Sequence, residues 1–352
     1  MTIEMRKVQY SDFESLGALY SEVYGIHFNP SYWNWKYFQN PNGEHMMYLA
    51  LDGGRVVGEV GSIAAKIKCG DSSYPASQTC DITVLPEYQK GGTFLKLYKL
   101  SNEEHVQRDI LTCYGFSVPV TLKISSKLLK FQPVCPVMRW VLILNPIPFL
   151  HKKFKMPIVA KAAGSIGRFF INLRIKRLYR IPEEKIIEIH FFDERFDRFW
   201  EERKKDYEIM LVRDSTYLNW RYIDHPARRY KVVAYLLDGK IKGFIVFTTG
   251  VDEVRRGIIM DIMVDPSEKK AVDYLLSAAI KFFYKEATDA VVLWLPEHAS
   301  LVRDIKKWGF VRCETQHNLI ARIVQQEEKR VNPEYIMNPD NWYFTMGDSD
   351  YW

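Results

Sequence analysis

A chain of 352 residues with 47% apolar and 26% charged residues has ordinary globular usage and is long enough for two domains with cores of their own. A net charge of +6 and the lack of any apolar run of about 18 residues exclude a helical membrane span and a strongly basic nucleic-acid binder, so no nucleic-acid partner is expected. The five cysteines show no Cys-x-x-Cys spacing, so no metal is expected; an odd count behind a polar, charged start predicts reduced thiols in a cytoplasmic protein.

In chain order, an alternating apolar strand over residues 3–8 comes first, and Ser11 and Asp12 read as the N-cap of the next helix. A Tyr/Trp-rich helix carries Tyr32, Trp33, Trp35 and Tyr37, which suit a core or the lining of an acceptor groove. A hairpin turns at Asp52-Gly53-Gly54. A strand with Asp81, Ile82, Thr83, Val84 and Leu85 then ends at Pro86. The polar turn Glu87-Tyr88-Gln89-Lys90-Gly91-Gly92 follows, and a helix opens near Thr93-Phe94-Leu95. A strand, a glycine turn and a helix start put several free N–H groups around one point. With the helix dipole, that suits a pyrophosphate. The wording is neither a P-loop nor Gly-x-Gly-x-x-Gly. A buried strand over 109–116 and a helix over 121–131 complete this part.

Between His151 and Arg180 lie nine Lys and Arg residues and no acid, with apolar residues interleaved. Three readings stay open: a basic helical connector, an amphipathic patch held against anionic lipid, or a groove for an anionic acceptor.

The chain then repeats itself. Tyr32, Asn34, Trp35, Lys36, Tyr37 and Pro41 reappear as Tyr217, Asn219, Trp220, Arg221, Tyr222 and Pro226. Gly58 reappears as Gly243 in a matched hairpin strand, and Asp81-Ile82-x-Val84-x-Pro86 as Asp261-Ile262-x-Val264-x-Pro266. Because both copies keep Trp35 and Trp220, these two read as core. The second copy runs through a hairpin turn at Asp238-Gly239, a buried strand over 289–295 and a helix ending at Trp308-Gly309-Phe310. Its loop has no glycine: Ser267-Glu268-Lys269-Lys270-Ala271 stands there, and Asp265 and Glu268 would repel a pyrophosphate.

Val84-x-Pro86-x-x-Gln89-x-x-Gly92 resembles the acetyl-CoA loop of the GNAT N-acyltransferases, with Phe94 where that family has Gly or Ala. The element order of both copies is similar to tandem-GNAT bacterial proteins, some linked to polysaccharide biosynthesis, and the resemblance covers roughly 1–145 and 185–325. It implies an α/β fold with a mixed sheet in each of two tandem GNAT domains. The expected organisation is a GNAT domain with the acyl-CoA loop over 1–145, a basic connector over 146–184, a degenerate GNAT domain over 185–330 and a docking tail over 331–352.

The resemblance also implies the chemistry, transfer of acetyl from acetyl-CoA to a primary amine. Thr83, Val84, Leu85, Gln89, Lys90, Gly91, Gly92, Thr93 and Phe94 are the expected cofactor-binding residues, with the strand Thr83–Leu85 supplying an N–H to the thioester carbonyl. Asp81 is the nearest carboxylate for a base. The family's usual acid, a tyrosine, is absent, since Ser126 falls near its place; Tyr114 is the substitute, or a buried core tyrosine. The tail 341–352 mixes Trp342, Tyr343 and Phe344 with Asp348 and Asp350. It is expected to dock, either over a seam or on the acceptor side, where it would suit an amino sugar carried on a nucleotide or a lipid. The alternative is a GNAT-fold protein that does not use acyl-CoA: an aminoacyl-tRNA-dependent peptide ligase or a binding module.

Overall fold

The computed structural model of the protein describes residues 3–26, 29–153, 165–167, 169, 171, 173, 185–251, 254–324 and 331–350. Most of the basic stretch 151–180 therefore lies outside the described residues. The strands are β1 Glu4–Lys7, β2 Met46–Asp52, β3 Arg55–Cys69, β4 Ser72–Val84, β5 Thr112–Ser117, β6 Gln132–Ile143 and β7 Ile186–Ile189. They continue with β8 Ile209–Leu211, β9 Lys231–Leu237, β10 Lys240–Val251, β11 Arg255–Val264, β12 Ala290–Trp294 and β13 Val311–Ile323. Five helices of the first copy are α1 Phe13–Tyr24, α2 Pro30–Trp33, α3 Pro86–Gln89, α4 Thr93–Gln107 and α5 Pro119–Leu129.

Two units result. The first holds Met1–Cys135, Tyr207–Arg228 and His317–Trp342; the second holds Pro136–Asp206, Arg229–Gln316 and Tyr343–Trp352. The first unit's sheet runs β1-β2-β3-β4-β5-β13, with β8 beside β3 at its far end. Only β4 and β5 are parallel neighbours in it. The second runs β7-β9-β10-β11-β12-β6 with the same pattern, β11 and β12 being its parallel pair. Each α/β unit is thus one mixed sheet. Each takes its sixth strand from the sequence of the other copy: β13 lies beside β5, and β6 beside β12. The units therefore differ in extent from the linear segments of the repeat, and Tyr207–Arg228 counts with the first unit.

Helices cover both faces of the first sheet. A Cβ at Gly58 would meet Leu97 of α4 at 3.5 Å, so α4 lies on that face. On the other face, a Cβ at Gly61 would fall 2.4 Å from the Tyr37 hydroxyl. Only glycine lets the π-helical turn Asn34–Phe38 lie this close to β3. Trp33, Trp35 and Tyr37 are all buried. These three rings are therefore core packing, whereas Tyr32 is half-buried.

Candidate functional site

The first unit opens its sheet at one point. β4 pairs with β5 through Ala76–Thr112, Ser77–Cys113 and Gln78–Tyr114, and no further. β4 continues to Val84 on β3, and β5 continues to Ser117 on β13. Past Gln78 and Tyr114 the two strands have separate partners, and among the described residues no strand pairs with the facing edge of β4.

The predicted loop stands at the end of that edge. Leu85 donates its N–H to the Val57 carbonyl at 3.0 Å. Strand groups alternate, so the N–H and C=O of Val84 face the open edge. The Gln89 side-chain amide donates to the Val84 carbonyl at 3.0 Å, which occupies the acceptor there and leaves the Val84 N–H as the donor. Of the expected stretch Thr83–Leu85, the Leu85 N–H is already used within the sheet.

Beyond α3, Gly92 has φ +73° and is the N-cap of α4. A Cβ there would meet nothing within 4 Å, so the glycine serves the left-handed backbone. It brings no side chain to cap the helix, whose first N–H groups point outward. Thr93, the first helical residue, is 1% exposed, and its hydroxyl has no hydrogen-bond partner among the described residues. An orphan donor at an uncapped helix start fits an anionic oxygen. Gly91 and Lys90 are exposed at the same turn. Phe94 is half-buried and packs along α4 on Tyr98, with ring centroids 6.1 Å apart.

The second copy is built differently at the matching place. Asp265 takes an ion pair from Arg203 at 2.9 Å and from Lys242 at 3.1 Å, and accepts from Ser267 at 2.6 Å. Burial alone would raise its pKa, but these hydrogen bonds and charges hold it below the usual carboxylate range. This bound carboxylate stands where the first copy has Leu85, and the loop Ser267–Ala271 that follows has no glycine.

Asp81 is the bulged residue of β4, because Ile82 pairs with Val60 and Cys80 with Gly61. Its φ is +48°, in the left-handed region. Asp tolerates that region better than most residues, and such bulges concentrate beside functional sites. The turn re-aims its carboxylate onto the helical face. There Oδ2 meets Lys36 Nζ at 2.5 Å and accepts from the Tyr37 hydroxyl at 2.5 Å. The Lys36 side chain is 3% exposed and that of Asp81 is 18% exposed.

Sequence reasoning missed Glu59. It lies on β3 opposite Thr83, is 0% exposed, and among the described residues neither carboxylate oxygen meets a donor in full hydrogen-bond geometry. Burial, then the charge of Asp81, pushes its pKa well above the usual glutamate range, while Tyr20, Lys36 and Thr83 act in the opposite direction. α1 supplies Tyr20 and also Tyr24, whose hydroxyl lies 3.2 Å from that of Thr83. The available signal was a lone acid flanked by Val56, Val57 and Val60. The repeat sets Phe244 at the matching position, so this acid belongs to the first copy alone.

Tyr114 is 2% exposed and sits against Phe116 and Trp342, with centroids 6.3 and 6.4 Å away. Residues 342–349 of the tail are equally enclosed. Trp342 donates to the Ile336 carbonyl at 2.6 Å. Within the second unit, Tyr343 donates to the Ile262 carbonyl at 2.5 Å, and Asp348 Oδ2 accepts from the Thr345 N–H at 2.8 Å. Trp342, Tyr343 and Phe344 are all buried, so their rings serve as core rather than as open faces. A cavity of about 360 Å³, lined in part by Lys66, Tyr74 and Asp214, lies at the opposite end of β4 from the loop. No helix among the described residues is long and apolar enough to cross a membrane.

Residues 4–123 match the acetyltransferase (GNAT) domain family. The match spans most of the first copy and about a third of the chain. The whole chain resembles solved tandem-GNAT structures at low identity. A GCN5-related N-acetyltransferase from Anabaena variabilis has TM-score 0.64 and 13% identity, over 92% of this chain and 73% of that one. A probable N-acyltransferase of unknown function from Enterococcus faecalis has TM-score 0.63 and 10% identity, over 92% and 73%. Saccharomyces cerevisiae N-myristoyltransferase with bound myristoyl-CoA has TM-score 0.59 and 12% identity, over 94% and 84%. No curated protein sequence matches the chain. These likenesses extend the GNAT fold across both copies.

Proposed function

We propose that this protein is an acyl-CoA-dependent N-acyltransferase that moves acetyl from acetyl-CoA to a primary amine in the cytoplasm. The acceptor in this reading is an amino sugar carried on a nucleotide or a lipid. The observation that carries the cofactor assignment is the buried, partnerless Thr93 hydroxyl beside Gly92 at the uncapped start of α4. Acetyl-CoA supplies the activated acyl group.

The chain's own residues then have separable tasks. Lys90, Gly91, Gly92, Thr93 and Phe94 hold the pyrophosphate through N–H groups and the Thr93 hydroxyl. The Val84 N–H polarises the acyl carbonyl. Asp81, with Oδ2 taken by Lys36 and Tyr37, accepts the amine proton at Oδ1. Tyr114 heads the open edge and is the assigned donor to the leaving thiolate, yet its burial suits packing equally well. Tyr114→Phe separates these roles: an acid loses kcat, whereas a core ring keeps it.

Calorimetry with acetyl-CoA tests the reading. The expected result is one site per chain, because the second copy holds Asp265 at the matching joint. Two sites, or none, rejects it. No binding of acetyl-CoA, with turnover only on an aminoacyl-tRNA or with no turnover at all, returns the alternative functions.

A further inference from the structure

α5 rests on the body through one narrow face, with Leu129 buried and Leu122 and Ser125 half-buried. Of its 11 residues, Leu129 alone is buried. Val120, Ile124 and Leu128 are 75%, 47% and 51% exposed. Their four-residue spacing advances about 40° per step, so they form one stripe roughly 12 Å long. Lys123, Lys127 and Lys130 are exposed and run along one flank of that stripe. None of these lysines has an ion-pair partner among the described residues, and no Asp or Glu occurs between Gly115 and Cys135. An apolar strip edged by uncompensated cations is the pattern of a helix that lies in a membrane interface.

We propose that the exposed face of α5 docks on an anionic lipid surface, with Val120, Ile124 and Leu128 entering the headgroup layer and Lys123, Lys127 and Lys130 meeting lipid phosphates. Charge decides against a second copy of the chain, because two such faces would bring like charges together. The stripe is too small and too cationic to serve as ordinary core. The inference stands on α5 alone and does not depend on the identity of the acceptor. It makes the protein peripheral, with no insertion beyond the interface.

Cosedimentation of the full chain with phosphatidylcholine vesicles, with and without phosphatidylglycerol, tests this. The expected result is binding to the anionic vesicles only, weakened by salt. Ile166, Phe169 and Leu173 form another exposed apolar set in the basic stretch, so the variants change α5 alone. Ile124→Glu is expected to lower binding at least tenfold. Combined Lys123→Gln and Lys127→Gln is expected to lower it roughly thirtyfold, the scale of two surface lysines. Because these side chains are exposed, both variants should melt with the wild type. No binding by the wild type, or unchanged binding by both variants, overturns the proposal. So does a wild-type dimer that Ile124→Glu dissociates, since the occupant is then a second copy. Loss of acetyl-CoA affinity in Ile124→Glu overturns it as well, since the stripe then belongs to the cofactor cleft.

Discussion

Trp35 and Trp220 bind each other reciprocally. The Trp35 indole N–H donates to the Trp220 carbonyl at 2.7 Å, and the Trp220 indole N–H donates to the Trp35 carbonyl at 2.9 Å. Their rings stack at 4.7 Å with 15° between planes. They are matched residues of the repeat, so one internal copy recognises the other through the same side chain used twice. Both lie in the first unit, which explains why Tyr207–Arg228 counts with it.

Trp35→Phe should cost about 1–3 kcal/mol, because it leaves the buried Trp220 carbonyl without its donor. Trp220→Phe should cost a similar amount. In the double variant the two costs should fall short of additivity by roughly 0.5–1.5 kcal/mol, the scale of aromatic coupling. Urea unfolding of the four proteins measures this; strict additivity would show that the pair acts as two unrelated residues.

Thr93→Val separates stability from binding. The threonine hydroxyl is buried without a partner, so replacing it by a methyl should leave the free protein as stable or up to about 1 kcal/mol more stable. Acetyl-CoA affinity should fall about tenfold or more, the loss of one hydrogen bond to a charged oxygen. Gly92→Ala meets no steric obstacle yet should cost roughly 1–2 kcal/mol through its positive φ alone. Melting curves and calorimetry on the two variants check both halves.

Glu59 should make stability fall with rising pH. Its folded-state pKa is raised, first by burial, so the fold favours the protonated carboxyl. That stability is complete below the ordinary glutamate range and is lost as pH climbs toward the folded-state value, by at most about 1.4 kcal/mol per pH unit. Glu59→Gln keeps the shape and removes the titration. Its melting temperature relative to wild type should therefore rise between about pH 4 and pH 8; a pH-independent difference would show that Glu59 does not titrate in this way.

His105 should act in the opposite direction. It lies 3.2 Å from Ser77 Oγ and near Arg322, and burial, then the Arg322 charge, pushes its pKa down to about 3. The fold therefore holds it neutral. Its contribution is complete above the ordinary histidine range near 6.5 and is lost as pH falls toward 3. The imidazole signal in NMR should stay unmoved through pH values near 6.5; a midpoint there would contradict the burial argument.

Trp342→Ala should cost roughly 3–5 kcal/mol, because the ring is 3% exposed and its N–H bonds the Ile336 carbonyl. Tyr343→Phe should cost only about 1 kcal/mol, the loss of the bond to the Ile262 carbonyl. Thermal melts of both variants decide whether the tail is a structural element; unchanged melting in Trp342→Ala would show it to be dispensable.

Local interactions made part of this protein legible from its residues alone. The repeat, the hairpin at Asp52-Gly53-Gly54, the strand ending at Pro86 and the glycine turn before α4 depend on neighbours within a few positions, and there φ preference, strand period and caps act directly. The places of Asp81 on its strand and of Gln89 to Phe94 in the turn before α4 were legible that way. Tertiary structure alone decided the rest. The pairing of β5 with β13 joins residues about 200 positions apart, such as Phe116 and Leu319, and nothing near either strand announces it. The choice of Val84 as the free donor follows from Leu85 being bonded to Val57. Glu59 and Lys36 read as ordinary charges until burial and the bulge at Asp81 brought them into one cluster, because the cost of enclosing a charge depends on what surrounds it in space.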